Sequence, residues 1–270
     1  MINQIKIVAI ANCGLLIQSP QAKVLVDGIY QWDAKAAENH INIDLLRKKD
    51  LFNPIPGEIM YRIVNGVAEF QGIDGLLFTH GHEDHFSSEK TAECLEKNNI
   101  GSIFLPDDEN PKVIALREQA EKHGVKLFNM NLPLGSKEEQ IIKDISVKYF
   151  RTPHSGREFS SVLHYCFLLS INDKKIYISG DADYTNEYQQ KMLEGEDVTV
   201  GFFNPLPFYL RAGRGLINRI NPKRVIMYHV PFAKDDKYGF RKMSQRIMDR
   251  FGESLPPCEI IAQELQTFVI

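Results

Sequence analysis

Short apolar runs broken by turn residues set the rhythm of this chain. Ile5–Ala11, Cys13–Gln18 and Lys23–Val26 predict three strands of a meander, with Ser19-Pro20 at one turn and Asp27-Gly28 closing the third run. Residues 29–72 lose the pattern. They hold the only Trp (Trp32), many charges, a Phe52-Asn53-Pro54-Ile55-Pro56-Gly57 break and a helical stretch from Glu58 to Phe70. This segment reads as an insertion between strands, a candidate lid or substrate wall at the mouth of a site. Gly75–Thr79 is then a short buried strand that runs directly into Thr79-His80-Gly81-His82-Glu83-Asp84-His85.

From that point strands and helices alternate. Ser87–Lys97 predicts a helix and Ile100–Leu105 a strand. Asn110-Pro111 supplies an N-cap and a proline at the first helical position of a helix that ends near Gly124, and Lys126–Leu132 is the next strand. The second half repeats the theme. Ile141–Phe150, Ser161–Ile171 and Lys175–Ser179 read as strands, with Asn172-Asp173 in the hairpin between the last two. Tyr184, Tyr188 and Met192 fall at helical spacing on a helix closed by Gly195, and Asp183 reads as its cap. Val198–Phe203 and Lys223–Tyr228 are further strands on either side of a Pro/Gly-rich loop, Asn204–Gly215. A last helix puts Phe240, Met243, Ile247 and Phe251 on one face, with a basic, solvated face opposite. No linker divides the pattern, so residues 1–270 are expected to form a single α/β domain of two facing sheets with helices outside.

Composition narrows the functional classes. Of 270 residues, 43% are hydrophobic and 25% charged, and the formal net charge is −3. This is a soluble globular balance without the basic footprint that phosphate-backbone binding needs, so a nucleic-acid partner is not implied. The apolar runs are of strand length, which predicts no membrane span, and the N-terminus lacks the pattern of a signal peptide. Cys13, Cys94, Cys166 and Cys258 are too scattered for a disulfide framework and fit reduced thiols in a cytoplasmic protein. The sequence leaves a homo-oligomeric state open.

The chemistry gathers on histidine. His80, His82 and His85 crowd into six residues with Asp84 interleaved, directly after a buried strand. His80 and His82, two apart in an extended turn, can hold one metal. Asp84 and His85 open the next element, point elsewhere, and suit a second metal beside the first. Neutral imidazole and carboxylate are donors for zinc, iron or manganese. Three more candidates share a position at strand ends: His154 after Ile145–Phe150, Asp181 after Lys175–Ser179 and His229 after Val225–Tyr228. Ligands for a site between two sheets should come from one common edge, as these do.

The run His80-x-His82-x-Asp84-His85, followed in order by His154, Asp181 and His229, resembles the metallo-β-lactamase superfamily over about residues 5–230. The resemblance implies a four-layer αββα sandwich of two facing mixed sheets with a dinuclear site at one sheet edge. It implies one ion on His80, His82 and His154, a second on Asp84, His85 and His229, and Asp181 bridging both. Asp27 matches the carboxylate placed at the end of an early strand to orient the His-rich loop. Two divalent ions, zinc first and manganese or iron next, would share a hydroxide at neutral pH, with Asp84 orienting it and passing a proton to the leaving group.

A bridging Asp181 and the absent signal peptide set the chain apart from the enzymes that open β-lactams. The interval of 48 positions from Asp181 to His229 is too short for the insertion of the nucleic-acid-processing branch, and no flavodoxin-like domain follows as in the oxygen-reducing branch. Gly180-Asp181-Ala182-Asp183-Tyr184 is similar to members that act on phosphodiesters and to lactonases. The expected activity is therefore hydrolysis of a small ester, lactone or phosphodiester. A nucleic-acid phosphodiesterase, or a non-catalytic metal-binding protein on the same scaffold, is the alternative. Arg157 and His164 are carried as candidate substrate contacts, although an exposed Arg and a hydrogen-bonded structural His are the plainer readings. His40 and His123 read as surface residues.

Overall fold

The computed structural model describes residues 4–31 and 54–270. Fourteen strands among these residues pair into two sheets of seven. The first sheet holds β1 (Lys6–Ile10), β2 (Gly14–Gln18), β3 (Lys23–Val26), β4 (Gly75–Leu77), β5 (Ser102–Pro106), β6 (Lys126–Met130) and β14 (Thr267–Val269), in the order β14-β1-β2-β3-β4-β5-β6. The second holds β7 (Lys137–Ile142), β8 (Ile145–Thr152), β9 (His164–Ile171), β10 (Lys174–Ile178), β11 (Val200–Phe203), β12 (Arg224–Met227) and β13 (Cys258–Ile260), in the order β13-β12-β11-β10-β9-β8-β7. Each sheet is antiparallel in one half and parallel in the other. The parallel part runs β3 to β6 in the first sheet and β10 to β13 in the second.

Aromatic rings hold the sheets face to face. Phe104 on β5 is fully buried. Its ring stacks on Phe128 at 4.3 Å and meets Tyr149 of β8 and Phe167 of β9 edge-on at 5.7 and 6.4 Å. Phe202 and Phe268 make a similar contact between β11 and β14 at 6.1 Å. Helices cover the outer faces. On the first sheet lie α1 (Gly57–Val64), α2 (Ser88–Lys97) and α3 (Pro111–Lys122). The α2 helix begins where Ser87 Oγ accepts the Lys90 N–H, and α3 where Asn110 Oδ1 accepts the Lys112 N–H with Pro111 in the first turn. The second sheet carries α4 (Tyr188–Met192), α5 (Leu206–Tyr209), α6 (Arg211–Ile220) and α7 (Phe240–Phe251), with Leu216, Ile217 and Ile220 packed on the outer face of the strands. The result is the αββα layering expected from the sequence. None of the helices among the described residues is long and apolar enough to cross a membrane.

Local differences have local causes. The expected single strand Ile141–Phe150 is a hairpin, β7 and β8, turning at Lys143 with φ +53°. β7 has an edge position and is mostly polar, so it carries no apolar signal, and its Ile141 is exposed. The helix expected from Tyr184 starts only at Tyr188, because Asp183 ties its carboxylate to the Thr185 N–H and hydroxyl and makes a turn there instead of a helix cap. Asn204–Gly215 is not a loop but holds α5 and the start of α6. Gly213 serves close packing, since a Cβ there would stand 2.3 Å from the Pro207 carbonyl oxygen. Glu58–Phe70 breaks at Gly66 (φ +59°) into α1 and a 3-10 turn. On α7 Ser244, rather than the exposed Met243, is the buried position. The sequence pattern missed β13 and β14, three residues each. Of the 29–72 insertion, residues 54–72 pack in the outer layer beside α2; Trp32 and His40 lie outside the described residues.

Replacing Phe104 by Ala removes the ring at the centre of the sheet-to-sheet contact. This is expected to lower unfolding free energy by about 3–5 kcal/mol, measured by urea denaturation.

Candidate metal centre

β3 and β4 are parallel neighbours, with Val26 opposite Leu77, so the residues after them emerge side by side. Asp27 turns the chain in the left-handed region (φ +44°), a conformation Asp tolerates better than most residues, and its N–H donates to the Leu77 carbonyl at 3.0 Å. Its carboxylate is fully buried. Oδ1 accepts the Thr79 N–H at 2.8 Å, while Oδ2 accepts the Thr79 hydroxyl at 2.6 Å and lies 3.0 Å from His85 Nδ1.

Proton positions follow from these contacts. His85 Nδ1–H donates to Asp27, which turns Nε2 toward the site. The Thr79 hydroxyl spends its proton on Asp27, so its oxygen accepts the Nδ1–H of His80 at 3.0 Å and His80 also presents Nε2. His154 Nδ1–H donates to the Ser155 carbonyl at 2.6 Å, and its Nε2 is buried with no hydrogen-bond partner.

Two donor sets result. In the first, His80 Nε2 faces His82 Nδ1 at 3.1 Å, and donor atoms of His80, His82 and His154 lie within 4.8 Å of one another. In the second, His229 Nε2 is 3.1 Å from His85 Nε2 and 3.2 Å from Asp84 Oδ2. Asp181 stands between them: its Oδ2 is 3.6 Å from His85 Nε2 and 3.8 Å from both His154 Nε2 and His229 Nε2. Ring nitrogens about 3 Å apart need a proton or a cation between them. The orphaned His154 Nε2 asks for the same partner, so the residues present fit metal ions.

Charge divides the same way. Burial, reinforced by neighbouring imidazoles, drives His80 well below its ordinary pKa and pushes His82 down to about 4. Burial also lowers His154. These rings stay neutral, as metal ligands must. Burial works against charge on His85 too, yet Cys13, Asp84 and Asp181 around it raise its pKa well above the usual imidazole value. Burial pushes the Cys13 thiol up to about 12, so Cys13 is neutral and the two carboxylates supply the field. Burial opposes ionisation of both carboxylates. His85 and His229 nevertheless hold Asp84 below the ordinary carboxylate range, and His229 and His85 hold Asp181 well below it. The second set therefore seeks positive charge, and the first offers neutral donors.

No protein-family model and no curated protein matches the sequence. Solved structures do match. The isothiocyanate hydrolase from Delia radicum gut bacteria aligns with a TM-score of 0.65 at 15% identity over 98% of this chain and 99% of its own. YhfI from Bacillus subtilis, described as a metallo-β-lactamase fold protein, aligns with a TM-score of 0.56 at 13% identity over 99% and 100%. CmlA from Streptomyces venezuelae, a diiron β-hydroxylase, aligns with a TM-score of 0.60 at 12% identity over 100% of this chain, which spans only 54% of CmlA. This chain has the metallo-β-lactamase fold.

Within that fold all seven sequence-predicted ligands, His80, His82, Asp84, His85, His154, Asp181 and His229, meet at one edge, and Asp27 lies behind them. His164 does not face the opening. It is fully buried, its Nδ1 lies 3.0 Å from Thr152 Oγ1, and its Nε2 accepts the Asp181 N–H at 2.9 Å. It thus fixes the backbone of Asp181. A Cβ at Gly180 (φ +53°) would stand 2.6 Å from that nitrogen. Arg157 is exposed on the turn after His154. The neighbouring Phe159, which no sequence motif marks, is the residue of that turn in contact with the site, its ring 4.9 Å from both His82 and His154. Asn204 also escaped notice: its amide donates to Asp181 Oδ1 at 3.2 Å, leaving Oδ2 for the imidazoles. Cys13 Sγ–H reaches the Asp84 carbonyl at 3.1 Å. An Asn or Cys beside a strand end carries no spacing signal, so only the fold identifies these three. His123 is the C-cap of α3.

Asp27→Asn should weaken metal uptake by roughly 10- to 100-fold, as measured by chelator competition, because one carboxylate orients both the Thr79 backbone and His85. A second expectation concerns acid. Above pH about 6.5 His82 is neutral folded and unfolded alike; between that value and about 4 the unfolded chain takes up a proton the folded one refuses. Stability of the metal-stripped protein should fall across that window, on the order of 3 kcal/mol for His82 alone. His80, His154 and His164 act in the same direction and His85 in the opposite one. Urea midpoints at a series of pH values measure this, and His82→Gln should flatten the curve.

Proposed function

We propose that the chain is a metal-dependent hydrolase with two divalent ions, acting on a small ester or lactone. The observation that carries this reading is the convergence of seven donors in two sets, with Asp181 Oδ2 within 3.8 Å of nitrogens from both. His80, His82 and His154 would hold one ion, Asp84, His85 and His229 the other, and Asp181 both. Zinc is the first choice, with iron beside it because the similar CmlA is a diiron protein, and manganese third. When bound, such ions lower the pKa of water to near ~7 and stabilise charge on a carbonyl or phosphoryl oxygen.

The remaining work falls to the protein. Asp84 is buried and ionised at neutral pH, and its carboxylate opens toward His229 Nε2 at 3.2 Å. It would orient the attacking water by accepting its hydrogen bond and carry a proton to the leaving group. Phe159 shields His82 and His154 from bulk water, and a dry site strengthens every charge interaction within it. Beside His82 lies a cavity of about 350 Å³ lined by Gly81, Pro106, Asp107, Asp108, Glu109 and Leu163. That volume suits a small molecule. Three acidic residues there, with the net charge of −3, disfavour a polyanion and rank a phosphodiester second. Four unpaired cysteines support a cytoplasmic setting.

The test combines metal analysis with a panel of chromogenic esters, lactones, thioesters and phosphodiesters, each with zinc, iron or manganese. Two ions per chain and ester or lactone turnover are expected, and His82→Ala or Asp181→Ala should lose metal and at least about 100-fold in rate. Faster phosphodiester turnover would promote the second substrate class. A protein that takes up no metal on reconstitution would sink the reading.

A further inference from the structure

Asn12 lies in the turn between β1 and β2, is 2% exposed and belongs to none of the motifs that the sequence pattern picked out. Its backbone is held on both sides. The N–H donates to the Tyr30 hydroxyl at 3.0 Å, and the carbonyl accepts the His229 N–H at 2.8 Å. His229 itself is in the left-handed region (φ +60°), a costly conformation that this contact helps to hold. The two residues are thereby locked together, with Asn12 Nδ2 3.2 Å from His229 Nε2. The other end of the amide, Oδ1, is buried without a hydrogen-bond partner.

This orientation aims an N–H at the very nitrogen whose electron pair the second donor set needs. Amide oxygen and nitrogen exchange places by a half-turn about Cβ–Cγ, and only their partners tell them apart. The half-turn carries oxygen to the position now held by Nδ2, 3.2 Å from His229 Nε2, a nitrogen that itself lies 3.1 Å from His85 Nε2 and 3.2 Å from Asp84 Oδ2. With no cation present the oxygen is repelled there, and the N–H orientation is preferred. With a cation among those donors the oxygen becomes a further ligand. One end of the amide lacks a protein partner in either orientation, and a contact to full charge outweighs one between neutral groups.

We propose that Asn12 is an oxygen ligand of the second ion, added to Asp84, His85, His229 and Asp181. The assignment rests on the two-ion reading above. It makes the two sites unlike: the first is dominated by imidazole, the second by oxygen. Harder ions such as manganese or iron should therefore favour the second site over the first, relative to zinc.

The test uses the whole chain, stripped of metal and titrated with Mn²⁺ or Zn²⁺ against a chelator, with ion counts by elemental analysis. Wild type should take up two ions, one of them discriminating less against Mn²⁺ than the other. Asn12→Ala should leave the affinity for one ion unchanged and bind the other about 10- to 100-fold more weakly. Asn12→Asp keeps an oxygen and adds charge, so it should hold the second ion at least as tightly as wild type. It also tests the proposal alone should the Ala variant fail to fold. If Asn12→Ala takes up two ions with unchanged affinities, or if the Asp variant weakens the second site as Ala does, the assignment is overturned while the two-ion centre stands. If wild type itself takes up fewer than two, the two-ion reading fails and the assignment with it.

Discussion

The Asp27 carboxylate sits at zero exposure with both oxygens engaged, one by the Thr79 N–H and the other by the Thr79 hydroxyl and His85. Much of the site's chemistry depends on this group. A buried charge survives only when it is hydrogen-bonded, so the loop after β4 must close over Asp27 in one arrangement. That arrangement sets the tautomer of His85 directly and that of His80 through Thr79, and it turns both Nε2 atoms toward one space. The strained backbone at Asp27 and His229 is held by the contacts around them, as expected where a fold stores local strain at a site.

Symmetry between the sheets does the rest of the positioning. β3 and β4 in one sheet, and β10, β11 and β12 in the other, point their C-terminal ends at the same edge. β8, antiparallel to β9, which is antiparallel to β10, points the same way. Asp27, the His80–His85 loop, His154, Asp181, Asn204 and His229 all follow these strands. The aromatic contact around Phe104 spaces the two sheets, so the packing that holds the core also sets how closely the two halves of the donor set approach.

The electrostatics give the two sets different characters. Burial, and after it their crowding, keeps the imidazoles of the first set neutral donors, whereas carboxylates around His85 in the second create a field that seeks positive charge. Two like-charged ions close together are tolerable only if anionic ligands lie among them. In the proposed two-ion centre Asp181 Oδ2 would take that role, with its other oxygen held by Asn204 and its backbone by His164.

The donor residues were legible in the sequence because they obey two rules that need no coordinates. Dense His and Asp after a buried strand is a rare coincidence, and His154, Asp181 and His229 recur at the ends of apolar runs. The alternating strands and helices and their layering were legible for a similar reason, since burial on two faces writes itself as short apolar runs. Tertiary structure alone decided the rest. Asn12, Cys13, Phe159 and Asn204 reach the site across long sequence separations, and no local pattern records such contacts. His164 reads from sequence as either a substrate contact or a hydrogen-bonded structural residue, and its partner, the Asp181 N–H, gives it a positioning role inside the protein. β7 and β14 escaped notice because an edge strand is stabilised by backbone pairing to a neighbour more than by an apolar face, and that neighbour exists only once the chain has folded.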